Sequence, residues 1–499
     1  MPALELDRDL ASLQEARNLA KQASKAQQIL KDFTQVQVDR IIDVMREVAE
    51  ANAERLALMA VTESGIGKYE DKVFKNYFAA HYVYDYIKDM KTVGVIREDR
   101  EHKIWEIAEP AGVIAGIVPT TNPTSTVIYK AMIALKARNA IVFSPHPSAV
   151  RCTAEAAALM NQAAVSAGAP DGVIGCITNV SMGATNELMK HPAVALILAT
   201  GGSGLVKSAY SSGKPALGVG PGNVPAFVER SADLANAAEC IVTSKTFDNG
   251  TICASEQAIV AEEAIADDLI GHLKRNGAYF LEPDEVEKVS RVVMLPNGAM
   301  NPKAVGKEAK YIARMADISV PEQTKCLIAP LGGVGPSWPL SHEKLTTVLG
   351  FYRVKDWEEG CERCIQLLEA GGIGHSLAIH SNNEDIIREF AEKKPVFRIL
   401  VNTPSSLGGV GATTGLAPSF TLGCGTWGGS SVSENVTPLH LINIKRVAWQ
   451  LRTIERPKLV NTGATPIPQN SRSGQPVYDQ QLVQEVVSQV MKAIKGSHC

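Results

Sequence analysis

No stretch of the 499-residue chain approaches the roughly eighteen consecutive apolar residues that a membrane-spanning helix needs. An excess of one charge is missing too: 50 Lys and Arg stand against 53 Asp and Glu, a formal net charge of −3. That balance gives no electrostatic case for nucleic acid or an anionic membrane as partner. The string G-x-x-x-x-G-K-[S/T] is absent, which removes a P-loop NTPase. The one match to G-x-G-x-x-G (Gly423, Gly425, Gly428) lies in a Gly- and Ser-rich stretch with no strand before it, and reads as chance. Nine cysteines, an odd number scattered along a long chain, point to a reducing compartment rather than a disulfide scaffold. Cys361 and Cys364 form a C-x-x-C, but inside the amphipathic pattern WEEGCERCIQLLEAGG with no second pair or His ligand nearby. Neither a zinc site nor a redox motif is expected there, and no other metal set is visible. The start, MPALELDRDLASLQEA, is acidic and helical, unlike a signal or transit peptide, so a cytoplasmic location is expected.

What is present is a soluble composition, 45% hydrophobic and 21% charged, over a length that should form more than one domain. From about Asp7 to Met90 apolar residues recur at spacings of three and four, a helical pattern. VGVIREDREHKIWEIAEPAG then alternates around a charged tip at Glu98 to Glu101 and reads as an exposed β-hairpin, serving either subunit contact or nothing but the surface. From Gly112 onward short Val/Ile/Leu runs alternate with helices: GVIAGIVP, NAIVFSP, GVIGCIT and ALILATGG are strands of the kind buried on both faces of a parallel sheet. A second alternation follows from about Arg230 to Gly372, with strands at EQAIVAEE, KCLIAP and TTVLGFYRV. The expected class is a doubly wound α/β fold of nucleotide-binding type with a second α/β domain. The stretch from Thr403 to Ser433 is too long for a plain connection and should line a site.

Two local patterns carry chemistry. In ALILATGGSGLVKSAYSSG a buried strand ends in Thr200, Gly201, Gly202 and Ser203, and a helix follows; that geometry offers free N–H groups to an anion or nucleotide. In TSKTFDNGTICASEQ, Cys253 follows Asp248, Asn249, Gly250 and Thr251, strong turn chemistry because Asn and Gly tolerate positive φ. A thiol presented by a tight turn between small neighbours suits covalent catalysis on a carbonyl. Taken alone such a cysteine is more often a core residue; the rest of the chain shifts the balance toward the nucleophile.

Together, IVPTTNPTS (117–125), IVFSPHPSA (141–149), ATGGSGLVKSAY (199–210), GVGPGN (218–223), TFDNGTICASEQ (246–257), EKLTTVLGFYRVKD (343–356) and GIGHSLAIHS (372–381) resemble the CoA-acylating branch of the aldehyde dehydrogenase superfamily. The likeness covers roughly Val36 to Leu451. It implies a Rossmann-type NAD-binding domain (1–95 and 113–229), an α/β catalytic domain (230–437) and an oligomerisation β-ribbon (96–112 and 438–455). By motif, Cys253 resembles the family's nucleophile, and Asn122 would join the Cys253 backbone N–H in holding the oxyanion. The cofactor would meet Pro119, Thr120, Ser144, His146, Pro147, Thr200, Gly201, Gly202, Ser203, Val219, Gly220 and Glu343. Of these, Gly202 and Ser203 would lie by the pyrophosphate, Ser144 and His146 by the adenosine, and Glu343 by the nicotinamide ribose. Hydrolytic members carry a glutamate in an E-L-G-G-K-like segment; the matching ALGVGPGN here has no carboxylate. The resemblance therefore implies CoA-dependent oxidation of a short aldehyde, acetaldehyde or propionaldehyde, to acyl-CoA with NAD or NADP. A sulfoacetaldehyde dehydrogenase and a hydrolytic enzyme are the alternatives. A homo-dimer or homo-tetramer is expected.

Beyond Arg456 the composition changes to a linker with four prolines, 456–477. Residues 478–496 then place Leu482, Val483, Val486, Val487, Val490, Met491 and Ile494 at helical spacing. Such a tethered amphipathic helix resembles the segments by which enzymes of this branch dock on bacterial microcompartment shell proteins. Packing back on the enzyme is the alternative.

Overall fold

The computed structural model describes residues 7–454, 481 and 484–489. The helical pattern at the start becomes separate helices, Arg8–Leu30, Gln35–Ala51, Ala53–Ser64 and Tyr69–Tyr77, broken where caps dictate. Thr34 and Gln37 close a capping box ahead of Gln35, and Gly65, at φ 65°, ends the third helix in the left-handed conformation. The second helix buries Val38, Ile41, Ile42, Met45 and Ala49, the stripe its spacing predicts.

A five-stranded parallel sheet follows, in spatial order Ile174–Cys176, Ala140–Ser144, Val113–Ile117, Val194–Thr200 and Ala216–Val219. Its first strand in the chain lies at the centre and the order reverses there. The chain thus leaves the carboxyl ends of Val113–Ile117 and Val194–Thr200 in opposite directions and opens a crevice between them. The central strands are buried throughout, which is why they read as unbroken apolar runs.

A second parallel sheet has seven strands, in the order Ala278–Phe280, Cys326–Pro330, Val348–Val354, Glu256–Glu262, Val224–Val228, Leu377–His380 and Ile399–Val401. The α/β reading holds. Several strands were not legible: Ala216–Val219 and Val224–Val228 flank a Gly- and Pro-rich corner, and the sheet supplies an order that so short a run does not announce. Between Ile174–Cys176 and Val194–Thr200 the helix Met182–Lys190 starts where Ser181 caps it by accepting from Ala184 N–H.

Gly94–Asp99 and Ile104–Pro110 form the expected hairpin, turning at residues 100–103 with Lys103 at φ 50°. Ile442–Ala448 adds a third antiparallel strand along Ile104–Pro110. Trp105 and Trp449 meet edge to face on this ribbon, 4.9 Å between ring centroids. In the tail, Gln481 and residues 484–489 are helical; the rest of the expected 456–477 linker and 478–496 helix lies outside the described residues. No helix of the described residues is long and apolar enough to cross a membrane.

Candidate active site

The crevice at the switch point opens into a cavity of about 720 Å³. Three loops at strand ends shape it: the turn after Ile117 brings Pro119, Thr120 and Asn122; the turn after Ser144 brings His146 and Pro147; the turn after Thr200 brings Gly201 and Gly202. Val219 and Gly220 close one side, and Cys253 and Glu343 lie on the wall contributed by the second sheet's connections. Asn122, Cys253 and the expected cofactor residues from Pro119 to Gly202, with Val219, Gly220 and Glu343, all line this cavity; Ser203 is the first residue of the helix Ser203–Tyr210.

The turn before Cys253 is built by backbone sterics. Helix Leu234–Thr246 ends at Phe247, and Asp248, Asn249 and Gly250 then run through positive φ of 47°, 53° and 74°. Two consecutive non-glycine residues in the left-handed region need an external hold. Asp248 supplies it, fully buried, accepting from Lys68 N–H at 2.7 Å, Lys72 Nζ at 2.8 Å, Thr251 Oγ1 at 2.8 Å and Lys75 Nζ. The Asp248 N–H in turn donates to Asp71 at 2.7 Å. Gly67 is required beside it, since a Cβ there would stand 1.9 Å from Asp248 Oδ1. None of these partners was expected from the sequence.

Asn122 precedes Pro123 at the head of helix Pro123–Lys136, yet its side chain makes no capping bond. Its Oδ1 accepts from Lys75 Nζ at 2.6 Å, and its Nδ2 has only long contacts, to Thr121 Oγ1 at 3.2 Å and the Thr251 carbonyl at 3.4 Å. The Cys253 sulfur is half-buried on the cavity wall. Burial, with the nearby Glu343 carboxylate and Cys424, pushes its thiol up to about 12, against a smaller opposing pull from Arg398. The Glu343 carboxyl accepts from Gly222 N–H at 2.9 Å, and burial raises it to about 7.

Gly222 also packs against the backbone of Cys253; a Cβ there would fall 2.1 Å from the Cys253 carbonyl oxygen and 3.2 Å from His375. His375 was quoted within a motif but given no role. Its Nδ1 lies 3.0 Å from Ser376 Oγ, its Nε2 has no partner, and burial lowers it to about 3, so it is neutral at working pH. It stands behind Gly222 rather than on the cavity wall.

The cavity suits an anionic, partly flat ligand. Thr120 Oγ1 and Thr200 Oγ1 are buried without partners on its wall. A Cβ at Gly202 or Gly204 would meet nothing within 4 Å, so the start of the following helix is open to phosphate oxygens. Ile117, Val180 and Leu205 give an apolar surface for a ring. Ser144 Oγ is engaged with Thr185 Oγ1 at 2.8 Å, and His146 Nδ1 accepts from Ser148 N–H, so both shape the wall.

The switch-point crevice, its glycine corner and the thiol after the left-handed turn thus share one cavity in a doubly wound α/β fold. The chain belongs to the aldehyde dehydrogenase family, whose model matches residues 8–280. It is 48% identical over 444 residues to the bifunctional aldehyde-alcohol dehydrogenase AdhE of Escherichia coli K12, covering 88% of this chain and 50% of that protein. The chain spans about half the length of the aldehyde-alcohol dehydrogenases it matches. Among solved structures, an acetylating aldehyde dehydrogenase from Geobacillus thermoglucosidasius superposes with a TM-score of 0.89 at 54% identity, over 90% of this chain and 99% of that one. A propionaldehyde dehydrogenase from the fucose-utilisation bacterial microcompartment of Clostridium phytofermentans gives 0.80 at 30% identity, over 87% and 97%.

Proposed function

We propose that this chain oxidises a short aldehyde, of the acetaldehyde or propionaldehyde class, to its acyl-CoA thioester with NAD or NADP as hydride acceptor. The observation that carries the reading is Cys253, set by a locked turn on the wall of the cavity that Asn122 also lines, the Asn122 amide reaching the Thr251 carbonyl of that turn. The thiolate of Cys253 adds to the aldehyde carbon, and the new oxyanion takes hydrogen bonds from Asn122 Nδ2 and the Cys253 backbone N–H. A nicotinamide held in the cavity supplies the hydride acceptor and, when oxidised, a positive charge that lowers the pKa of a neighbouring thiol. Gly201, Gly202, Ser203, Thr120 and Thr200 hold its phosphates. Pro119, Val219 and Gly220 border its ring, Ser144, His146 and Pro147 its adenosine, and Glu343 its ribose. Loss of hydride leaves a thioester on Cys253; the CoA thiol attacks its carbonyl and frees the cysteine.

Acyl transfer is favoured over hydrolysis by the wall at Ala216–Asn223, which presents no carboxylate to activate water. Glu343 is the sole acid among the described residues of the lining, and Gly222 N–H occupies its Oε1. A missing base costs water attack ~10²–10⁴-fold, while a thiol needs less help. The N-terminal segment with residues 113–229 then acts as the cofactor domain and 230–437 as the catalytic one, and the three-stranded ribbon joins subunits into a dimer or tetramer. The kinship with a microcompartment enzyme, together with the apolar stripe written into 478–496, supports docking of that segment on a shell protein.

The test is a steady-state panel of acetaldehyde, propionaldehyde and sulfoacetaldehyde with each nicotinamide, with and without CoA. CoA-dependent NADH or NADPH formation with stoichiometric acyl-CoA is expected. Free acid formed at the same rate without CoA refutes the transfer reading.

A further inference from the structure

Asn122 can stabilise an oxyanion only if its amide faces the reacting carbon with nitrogen rather than oxygen, and nothing in the residue itself decides that. The side chain is free of the capping bond that would otherwise fix it. Rotation by half a turn about its last torsion exchanges a donor for an acceptor at nearly constant shape. What decides the matter lies on the Tyr69–Tyr77 helix, 47 positions earlier in the chain.

We infer that Lys75 is a positioning residue for the reaction, fixing the Asn122 amide so that its Nδ2 points toward the oxyanion. The inference rests on the acyl-transfer reading above. An ammonium has three donors and no acceptor, and each donor of Lys75 has an assigned partner: Asn122 Oδ1 at 2.6 Å, Thr251 Oγ1 at 3.2 Å and Asp248 Oδ2. The atom of Asn122 facing it must therefore be the oxygen. The Nδ2 left over has only the two long contacts already described, which an oxyanion can displace.

The arrangement is rigid. Lys75 and Asp248 are both buried, Lys72 braces the same carboxylate while donating to the Thr121 carbonyl at 2.8 Å, and Thr251 ties the turn to Asp248. One buried carboxylate thus spaces the oxyanion donor and the nucleophile's turn through a single lysine. The positive charge on the oxygen side of the amide also polarises its N–H bonds, strengthening them as donors to an anion.

The test is a double-mutant cycle in kcat for acyl-CoA formation, with Lys75→Met and Asn122→Ala alone and together. Melting temperature and binding of the nicotinamide coenzyme are followed in each protein. Asn122→Ala is expected to lower kcat by ~10²–10³-fold, the usual loss for one oxyanion donor. Lys75→Met, by releasing the amide, should lose ~10–10²-fold of that in kcat with KM little changed, and should cost nothing further once Asn122 is alanine. Additive losses, or a rise in KM and a lower melting temperature with kcat preserved, overturn the inference and leave a structural lysine. Should Lys75→Met not fold, Lys75→Gln takes its place in the same cycle, since Asp248 keeps Lys72 as its cation; the same non-additivity is required of it. Absence of CoA-dependent turnover in the parent protein overturns the functional reading and this inference with it, whereas turnover with additive losses overturns this inference alone.

Discussion

Adding one methyl group at Gly222 should damage catalysis far more than folding. The Cβ of Gly222→Ala would lie 2.1 Å from the Cys253 carbonyl oxygen, where ordinary contact begins near 3.4 Å. That oxygen is backbone and cannot swing aside, so the two loops must part by about 1 Å, a displacement that typically costs ~10² in rate when it falls at the reacting atoms. The Gly222 N–H that holds Glu343 at 2.9 Å moves with it, loosening the group expected at the nicotinamide ribose. Overpacking of this kind destabilises by ~1–3 kcal/mol, a loss that a chain of this size tolerates. The assay is kcat and KM for acyl-CoA formation alongside thermal unfolding monitored by circular dichroism. Expected are a folded protein, a melting temperature lower by a few degrees and a kcat lower by ~10²-fold. A variant with parental kcat would show that the Cys253 loop has slack, and the argument from a locked turn would fail.

Other consequences can be measured directly. Cys253→Ala or Cys253→Ser should abolish aldehyde oxidation while coenzyme binding, followed by fluorescence, stays near the parental value; a substantial residual kcat refutes the nucleophile. With its thiol pushed up to about 12 in the free protein, Cys253 is protonated and slow to alkylate at neutral pH. Its reaction with iodoacetamide should therefore keep rising through pH 9 and accelerate at pH 8 when oxidised coenzyme brings a positive charge; a plateau below pH 8 without coenzyme would contradict this. Gly220→Glu places a carboxylate where a Cβ meets only the Gly428 carbonyl, at 3.8 Å, and should raise the ratio of free acid to acyl-CoA. Gly218 cannot serve for that purpose because a Cβ there would crowd Tyr210 and Val206 at 2.8 Å. Deletion after Arg456 should leave kcat and KM intact and abolish co-sedimentation with shell proteins; loss of folding would make the tail structural.

The parts of this site that were legible in the sequence are those made by short-range physics. Asp-Asn-Gly before Cys253 announces a left-handed turn, and the backbone runs through positive φ at all three residues. The strand, glycine turn and helix around Gly201 are likewise found in that order, Val194–Thr200 leading into Ser203–Tyr210. The pairing of Asp248 with Lys72 and Lys75 was not legible, because each lysine is ordinary where it stands. KYEDKVFKNY reads as a solvated helix face, and only packing turns two of its lysines inward onto a carboxylate more than 170 positions later. His375 had no role in the sequence beyond its motif; its unpartnered Nε2 and its place behind Gly222 appear only in the fold. The short strands Val224–Val228, Leu377–His380 and Ile399–Val401 depend on neighbours in the sheet, and their pairing is information that no local window holds.

The salt-bridged turn has a consequence for how the enzyme comes into being. Its carboxylate belongs to the segment that carries Cys253, while both cations come from a helix near the beginning of the chain. The thiol is therefore conditional: a chain whose first ninety residues are absent or undocked has no counter-charge with which to bend Asp248 and Asn249 into their unfavourable backbone region. Such a chain should let the loop relax toward ordinary backbone angles. The shape of the turn that carries Cys253 thus depends on a helix from far earlier in the chain, and holds only while that helix is docked.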